Sequence, residues 1–347
     1  VQARTEGVGP GDVDDALYVQ RSVVKQLAMR RTLFVFPRDL LAAALGSASA
    51  RVAAEQRRVI TRDVEVHGLA EDGQAWLEAA RAAVLARLTG SQPLPARQLR
   101  EDLAELSGTI VYSPGKRYGG AVQMGPRVLT LLGAEGLITR GPNAGPWRTN
   151  KPTWTLAVDW LGEQVAPLPA EEGYAELVRR WLRTFGPGTV EDLQWWLGST
   201  KSAVRVALGQ VGAVEVALDR GGAGWLLPDD VDPVAETGPW AALLPTLDPT
   251  TMGWRGREFY LDPEHTPFLF DSNGNAGNTA WWDGRIVGAW VQDDDAVVQV
   301  VPAPRADLGR AARAALDAEA ARLTAWLDGV RISNVYASQL MRHRRLP

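Results

Sequence analysis

The sequence has no cysteine among its 347 residues. That excludes disulfides, thiolate zinc sites and cysteine nucleophiles. Histidine is nearly as scarce: His67, His265 and His343 are the whole supply, far apart in the chain. A histidine-based metal centre is not expected, nor any other metal or cofactor. No apolar run reaches membrane length. The opening residues, Val1-Gln2-Ala3-Arg4, do not read as a signal peptide. The expected location is therefore the cytoplasm. No Gly-rich stretch ends in Gly-Lys-Ser/Thr, which argues against nucleotide hydrolysis. No Ser/His/Asp arrangement or close carboxylate pair stands out for hydrolytic chemistry.

Positive charge is also short. Lys and Arg number 37 against 41 Asp and Glu, a formal net charge of -4. Phosphate contacts need local cations rather than a positive sum, and here the charges are unevenly spread. Acids gather at Asp229, Asp230 and Asp232, and at Asp293, Asp294 and Asp295. Bases gather at Lys25/Arg30/Arg31, Lys116/Arg117, Arg140/Arg148/Lys151 and Arg342/Arg344/Arg345.

What is present is an ordinary globular composition, 46% hydrophobic and 22% charged, long enough for two to four small domains. One phrase repeats three times: two short helices, then two apolar runs around a Gly-rich tip. This is the pattern of a winged helix-turn-helix. The first unit, residues 1–65, carries a helix over Asp12–Leu17. A second helix is expected after Ser22, through Val23, Val24, Leu27 and Ala28. A strand Thr32–Phe36 and a long helix from Arg38 to Arg62 follow. The second unit, 73–162, has a helix through Trp76 and Leu88, a helix Pro95–Leu103 and an exposed basic loop Ser107–Gly120. A recognition-type helix Met124–Glu135 and a wing carrying Arg140, Trp147, Arg148 and Lys151 complete it.

The third unit, 170–228, has a helix Tyr174–Phe185 and a capping-box-like Thr189–Asp192. Ser199 or Thr200 caps the next helix, and a hairpin turns at Arg220-Gly221-Gly222. The last region, 235–347, changes character. Phe268–Phe270, Ala280–Trp282, Ile286–Val291 and Val297–Val301 read as short strands, and Leu308–Leu327 as a long helix. The expected fold class is α+β: three tandem winged helix-turn-helix units, then a small β-barrel-like domain with a closing C-terminal helix.

A three-fold repeat with wings points to a surface that cradles duplex DNA, although winged helices also serve as protein-interaction modules. The loop Lys116-Arg117-Tyr118 and the wing with Trp147 interleave cations and rings, as phosphate contact beside an unstacked base requires. Solvated charge is the alternative for both. Trp254-Arg255-Gly256-Arg257 reads either as a DNA-facing patch or as a turn with snorkelling arginines. The candidate DNA-binding residues are Lys25, Arg30, Lys116, Arg117, Tyr118, Arg127, Arg140, Trp147, Arg148, Lys151, Arg255 and Arg257.

The stretch Arg21–Val35 resembles the first winged helix of the winged-helix DNA-binding family that includes the AlkZ-type DNA glycosylases. Leu27 stands where that family usually has Trp. Leu244–Pro249 and Asp283–Trp290 are similar to its C-terminal signatures, and the resemblance runs over nearly the whole chain. It implies a monomeric enzyme that hydrolyses the N-glycosidic bond of N-alkylated purines, interstrand crosslinks included. The partner is double-stranded DNA, and the role is DNA repair or self-resistance to an alkylating agent. The rival is a winged-helix DNA-binding protein or regulator without catalysis. The family's catalytic Gln-x-Gln or Gln-x-Asp lies close to the N-terminus. It has no match here, where Val1–Arg4 looks like the segment after the motif, so no catalytic residue is carried over.

Overall fold

The computed structural model describes residues 1–112, 120–219 and 221–342. In chain order the described elements begin with α1 (Pro10–Asp14), which continues as a wider turn through Asp15–Val19. Then come β1 (Val23–Leu27), β2 (Leu33–Pro37), α2 (Arg38–Ala44), α3 (Ala50–Val66) and α4 (Gly73–Leu88). Next are β3 (Leu94–Pro95), α5 (Ala96–Asp102), β4 (Thr109–Tyr112), β5 (Gly120–Gln123), α6 (Gly125–Ala134), β6 (Ile138–Asn143), β7 (Pro152–Leu156) and α7 (Ala157–Leu161). The helices α8 (Ala170–Phe185), α9 (Val190–Leu197) and α10 (Lys201–Gln210) precede the hairpin β8 (Val214–Ala217) and β9 (Ala223–Leu226). The remainder is β10 (Ala241–Leu244), α11 (Thr266–Leu269), β11 (Thr279–Trp282), β12 (Arg285–Gln292), β13 (Val298–Pro302), α12 (Arg310–Leu327) and α13 (Gln339–Arg342). Backbone proximity divides the chain into two compact units, residues 10–181 with 197–213, and residues 1–9 with 182–196 and 214–347.

In the unit containing 10–181, the core lies where α3, α4 and α6 meet. Ile60 and Val64 pack with Leu77, Val84 and Leu88, and with Val128, Leu131 and Leu132, all essentially inaccessible. Each contributes at helical spacing, so three amphipathic helices close one core. A three-stranded sheet, ordered β3-β7-β6, flanks it.

Two expectations in this unit need correction. Residues 23–27 form a strand, not a helix. Val24 and Gln26 are buried while Val23, Lys25 and Leu27 are half-exposed, a two-residue alternation. Over so short a run the apolar spacing fits both periods, and adjacent Val residues favour a strand. The chain reverses at Met29–Arg31, so β1 pairs antiparallel with β2 from Val23↔Pro37 to Leu27↔Leu33. The stretch 107–120 is likewise more than a loop: its two arms, β4 and β5, form a hairpin from Thr109↔Gln123 to Tyr112↔Gly120.

In the other unit, β10-β11-β12-β13 form an antiparallel meander in that order. The sheet is open, which corrects the barrel-like expectation. The physical reason is that both its faces are covered. Leu243, Ala280, Trp290 and Val298 face Leu316, Leu323 and Leu327 of α12. Leu244, Trp281 and Val291 face Tyr260, Leu269 and Met341. A sheet with an apolar layer on each side buries its surface without closing on itself. Phe268 and Leu269, expected in a strand, lie in α11 instead, whose first turn contains Pro267.

The expected cap at Thr189 is present in the same unit. Asp192 Oδ2 accepts from Thr189 N at 3.1 Å and Oγ1 at 2.7 Å, while Thr189 Oγ1 accepts from Asp192 N at 3.0 Å. Asp192 is 5% exposed. Its other oxygen accepts from the backbone N–H groups of Arg255 and Gly256 at 2.8 and 3.0 Å. In the 10–181 unit, Thr200 rather than Ser199 caps α10, accepting from Ala203 N at 3.2 Å. Replacing Asp192 by Ala strands several buried donors, so Asp192→Ala lowers stability by about 3 kcal/mol. Asp192→Asn, which keeps one acceptor oxygen, loses less; chemical denaturation of the two variants measures the difference.

Candidate nucleic-acid interface

Lys25 and Arg140 are distant in sequence but line one shallow depression with Thr130, Thr139 and Trp154. Lys25 projects from β1. Its Nζ donates to Tyr18 Oη at 2.6 Å and lies 5.0 Å from the centre of that ring. Arg140, on β6, sits directly opposite Trp154 on β7. Its guanidinium stacks 5.1 Å from the indole and donates to Asn150 Oδ1 at 3.0 Å. Among the described residues no carboxylate pairs with Arg140. Burial pushes its pKa down, opposed by the Tyr18 phenol. Two cations on aromatic faces, with a buried Thr139 Oγ1 that has no partner among the described residues in the same depression, make an electropositive, ring-lined surface.

Beneath that surface, the 4%-exposed Gln26 fixes β1 to α6. Its Nε2 donates to Gly133 O at 3.0 Å, Ala134 O at 3.4 Å and Ser49 Oγ at 3.3 Å. The two carbonyls lie at the C-terminal end of α6, where helical donors run out; Gly133 O also accepts from Gly136 N at 3.1 Å. Beyond Arg140, the connection between β6 and β7 presents Arg148 and Lys151 to solvent, together with Trp147.

Arg30 and Arg31 form the tip of the β1–β2 hairpin. Both adopt left-handed backbone, with φ of 52° and 57°. A non-glycine residue there costs about 1–2 kcal/mol, so the tip is strained twice in succession.

Arg127 is 17% exposed at its side chain and is engaged internally. Its Nη1 donates to Asp63 Oδ2 at 2.9 Å and to Tyr112 Oη at 3.0 Å. Asp63, whose side chain is 5% exposed, also accepts from Tyr112 Oη at 2.6 Å and Arg62 Nη2 at 2.7 Å. Burial alone raises its pKa, but these donors overcome that and hold it at about 2. His67 packs edge-on against Tyr112, with ring centres 4.9 Å apart. The cluster therefore anchors the far end of strand β4, away from the base of the hairpin, to α3 and α6. Lys116, Arg117 and Tyr118, which join the two arms in sequence, lie outside the described residues.

Arg255 and Arg257 belong to the other unit. The Arg255 side chain is exposed. Arg257 is half-buried, its guanidinium lying against aromatic rings. It stacks 4.5 Å from Phe270 and 5.3 Å from Trp195, and its Nε donates to Trp254 O at 3.3 Å. Burial pushes its pKa down, partly offset by Tyr260. Burial also pushes the Tyr260 phenol well up.

Sequence reasoning missed Tyr18, Gln26, Gln56 and Asp63. The signal for the last two is in α3, where Ala53, Gln56, Ile60, Asp63 and Val64 make the buried stripe. A polar residue on an apolar stripe calls for a partner.

Asp63 makes stability depend on acid. Its folded pKa is depressed, so its contribution of about 2 kcal/mol is complete above the unfolded value near 4. It is lost as pH falls from about 4 toward 2. Asp63→Asn is less stable at neutral pH, and the gap to wild type closes across that window; denaturation midpoints from pH 6 to pH 2 measure it.

Three comparisons bear on this surface. A family model described as DNA glycosylase AlkZ-like matches residues 1–326. An interstrand DNA cross-link repair glycosylase from Streptomyces sahachiroi is 29% identical over 184 residues, 50% of this chain and 48% of that protein. The match thus spans about half the length of that relative. The solved structure of Streptomyces sahachiroi DNA glycosylase AlkZ superposes with a TM-score of 0.68 at 23% identity, covering 92% of this chain and 82% of that one. At this identity the likeness is one of fold.

Proposed function

The chain belongs to the AlkZ-like DNA glycosylase family, and on that premise we propose that it hydrolyses the N-glycosidic bond of N-alkylated purines in duplex DNA. Interstrand crosslinks are included among the substrates, and the S. sahachiroi relative is named for that repair. The observation carrying the reading is the depression where Lys25 on Tyr18 and Arg140 on Trp154 converge. Desolvated cations backed by rings hold a phosphate and offer a stacking face to a displaced base. Arg30, Trp147, Arg148 and Lys151 extend the surface within the unit containing 10–181. Arg255 supplies a contact from the other unit, and Lys116, Arg117 and Tyr118 supply contacts from the segment joining β4 to β5. Arg127 and Arg257 have internal roles. The helices and hairpins correspond in this reading to three winged helix-turn-helix units acting as a monomer in the cytoplasm. The biological role is repair or self-resistance to a DNA-alkylating agent.

N-alkylation leaves the purine cationic, so it departs with the bonding pair and needs little general acid. The C1′–N bond breaks, water oxygen adds to C1′, and one water proton goes to solvent. The protein's work is to position the water and stabilise the sugar cation that develops in the transition state. A crosslinked base cannot flip fully without its partner strand, so an open surface suits it better than a closed pocket.

Base release from N-alkylated duplex, measured by chromatography of the free base, tests the reading. Release is expected, with none from undamaged DNA. Duplex affinity without release means a non-catalytic DNA-binding protein or regulator. Arg140→Gln and Lys25→Gln each weaken duplex binding and reduce the slope of log affinity against log salt by about 0.9. Charge reversal at Lys116 and Arg117 reduces it further. Unchanged slopes in all these variants would exclude this surface as the DNA contact.

A further inference from the structure

Gln56 lines a pocket of about 150 Å³ in the unit containing 10–181, alongside Arg30, Arg31, Arg51, Glu55 and Gly198. It is 7% exposed, and among the described residues its amide has no hydrogen-bond partner. The residue is buried but its amide atoms keep access to solvent through the pocket, where water satisfies them in the free protein. Asp63, two turns along the same stripe of α3, shows the ordinary outcome with its three donors. The Gln56 amide instead opens onto a pocket with an excess of positive charge.

The charges around it are arranged in one direction. Arg31 and Arg51 make no ion pair with any described residue. The one acid of the pocket, Glu55, is engaged by Arg58, which donates from Nε at 3.0 Å and Nη2 at 2.7 Å. The two tip arginines that line the pocket both adopt left-handed backbone. Gly198, at φ 63°, forms the opposite wall; a Cβ there would stand 3.2 Å from Arg30 N. Backbone strain of this kind persists where a site requires it.

We infer that the β1–β2 tip and α3 form a seat for one phosphodiester of the DNA backbone, gripped by Arg31 and Arg51 and oriented by the Gln56 amide. A tetrahedral anion with several exposed oxygens accepts from separate guanidinium groups and an amide at once. This seat is distinct from the Lys25/Arg140 depression. It deepens the DNA reading given above and rests on it.

The test uses the whole protein and an undamaged duplex, with affinity measured over a series of salt concentrations. Gln56→Leu removes the amide while keeping a side chain of similar size. It weakens duplex binding about tenfold without lowering Tm. Arg31→Gly weakens binding and reduces the salt slope by about 0.9. Its Tm does not fall, because glycine accepts the left-handed tip. Arg305→Gln, the same change in net charge on an exposed loop of the other unit, leaves the slope unaltered. If wild type binds duplex and neither Gln56→Leu nor Arg31→Gly changes affinity or slope, the seat is wrong and the DNA reading stands. If wild type has no salt-dependent duplex affinity, both fall. If inorganic phosphate alone raises the Tm of wild type but not of Gln56→Leu, while duplex binding is equal in the two, the pocket takes a free anion and the assignment to DNA is overturned.

Discussion

The face that carries the candidate site depends on one buried amide. Gln26 ties strand β1 to the last carbonyls of α6, and β1 in turn carries Lys25. Pairing with β2 and the Ser49 Oγ bond to Leu27 O also hold the strand, and the Gln26 amide adds the polar tie to α6. A slip of one residue would exchange Lys25 and Gln26, burying an ammonium and exposing the amide. Alternation along β1 thus places the Gln26 amide against the carbonyls that end α6. The cation reaches the ring of Tyr18 because the residue beside it is satisfied underneath.

The second unit solves a different problem. Its meander has inward residues on both faces, and two apolar layers take them up. Asp192 then joins a helix start to the 255–256 backbone through one carboxylate. The neighbouring arginines divide by environment. Arg255 stays in solvent, while Arg257 enters the aromatic cluster of Trp195 and Phe270. Two arginines a residue apart are alike in sequence and differ in what lies behind them.

The long helices and hairpins with unambiguous period were legible from the sequence: α3, α4, α6, the β6–β7 wing and the Thr189 cap. What was not legible has physical causes. The run 23–27 is too short to distinguish two periods, and only the reversal at Arg30–Arg31 decides it. Arginine at a left-handed turn carries no warning, since glycine is the residue that normally announces one. The internal partners of Arg127 were not legible, because nothing local reveals Asp63 and Tyr112, which approach from other elements. Closure of the last sheet turned on whether its second face was covered, which is a tertiary fact. Lys25 and Arg140 were picked out singly for their charge, and their convergence comes from folding.

Arg140 and Arg257 share one property with a thermodynamic consequence. Each is a half-buried guanidinium against an aromatic ring that makes no ion pair among the described residues. Desolvating a cation without a counter-charge works against the folded state. Any anion that binds Arg140 restores part of that loss, and by mass action it shifts the folding equilibrium in proportion to its concentration. Under the proposed DNA contact, this unit is more stable on duplex than free of it.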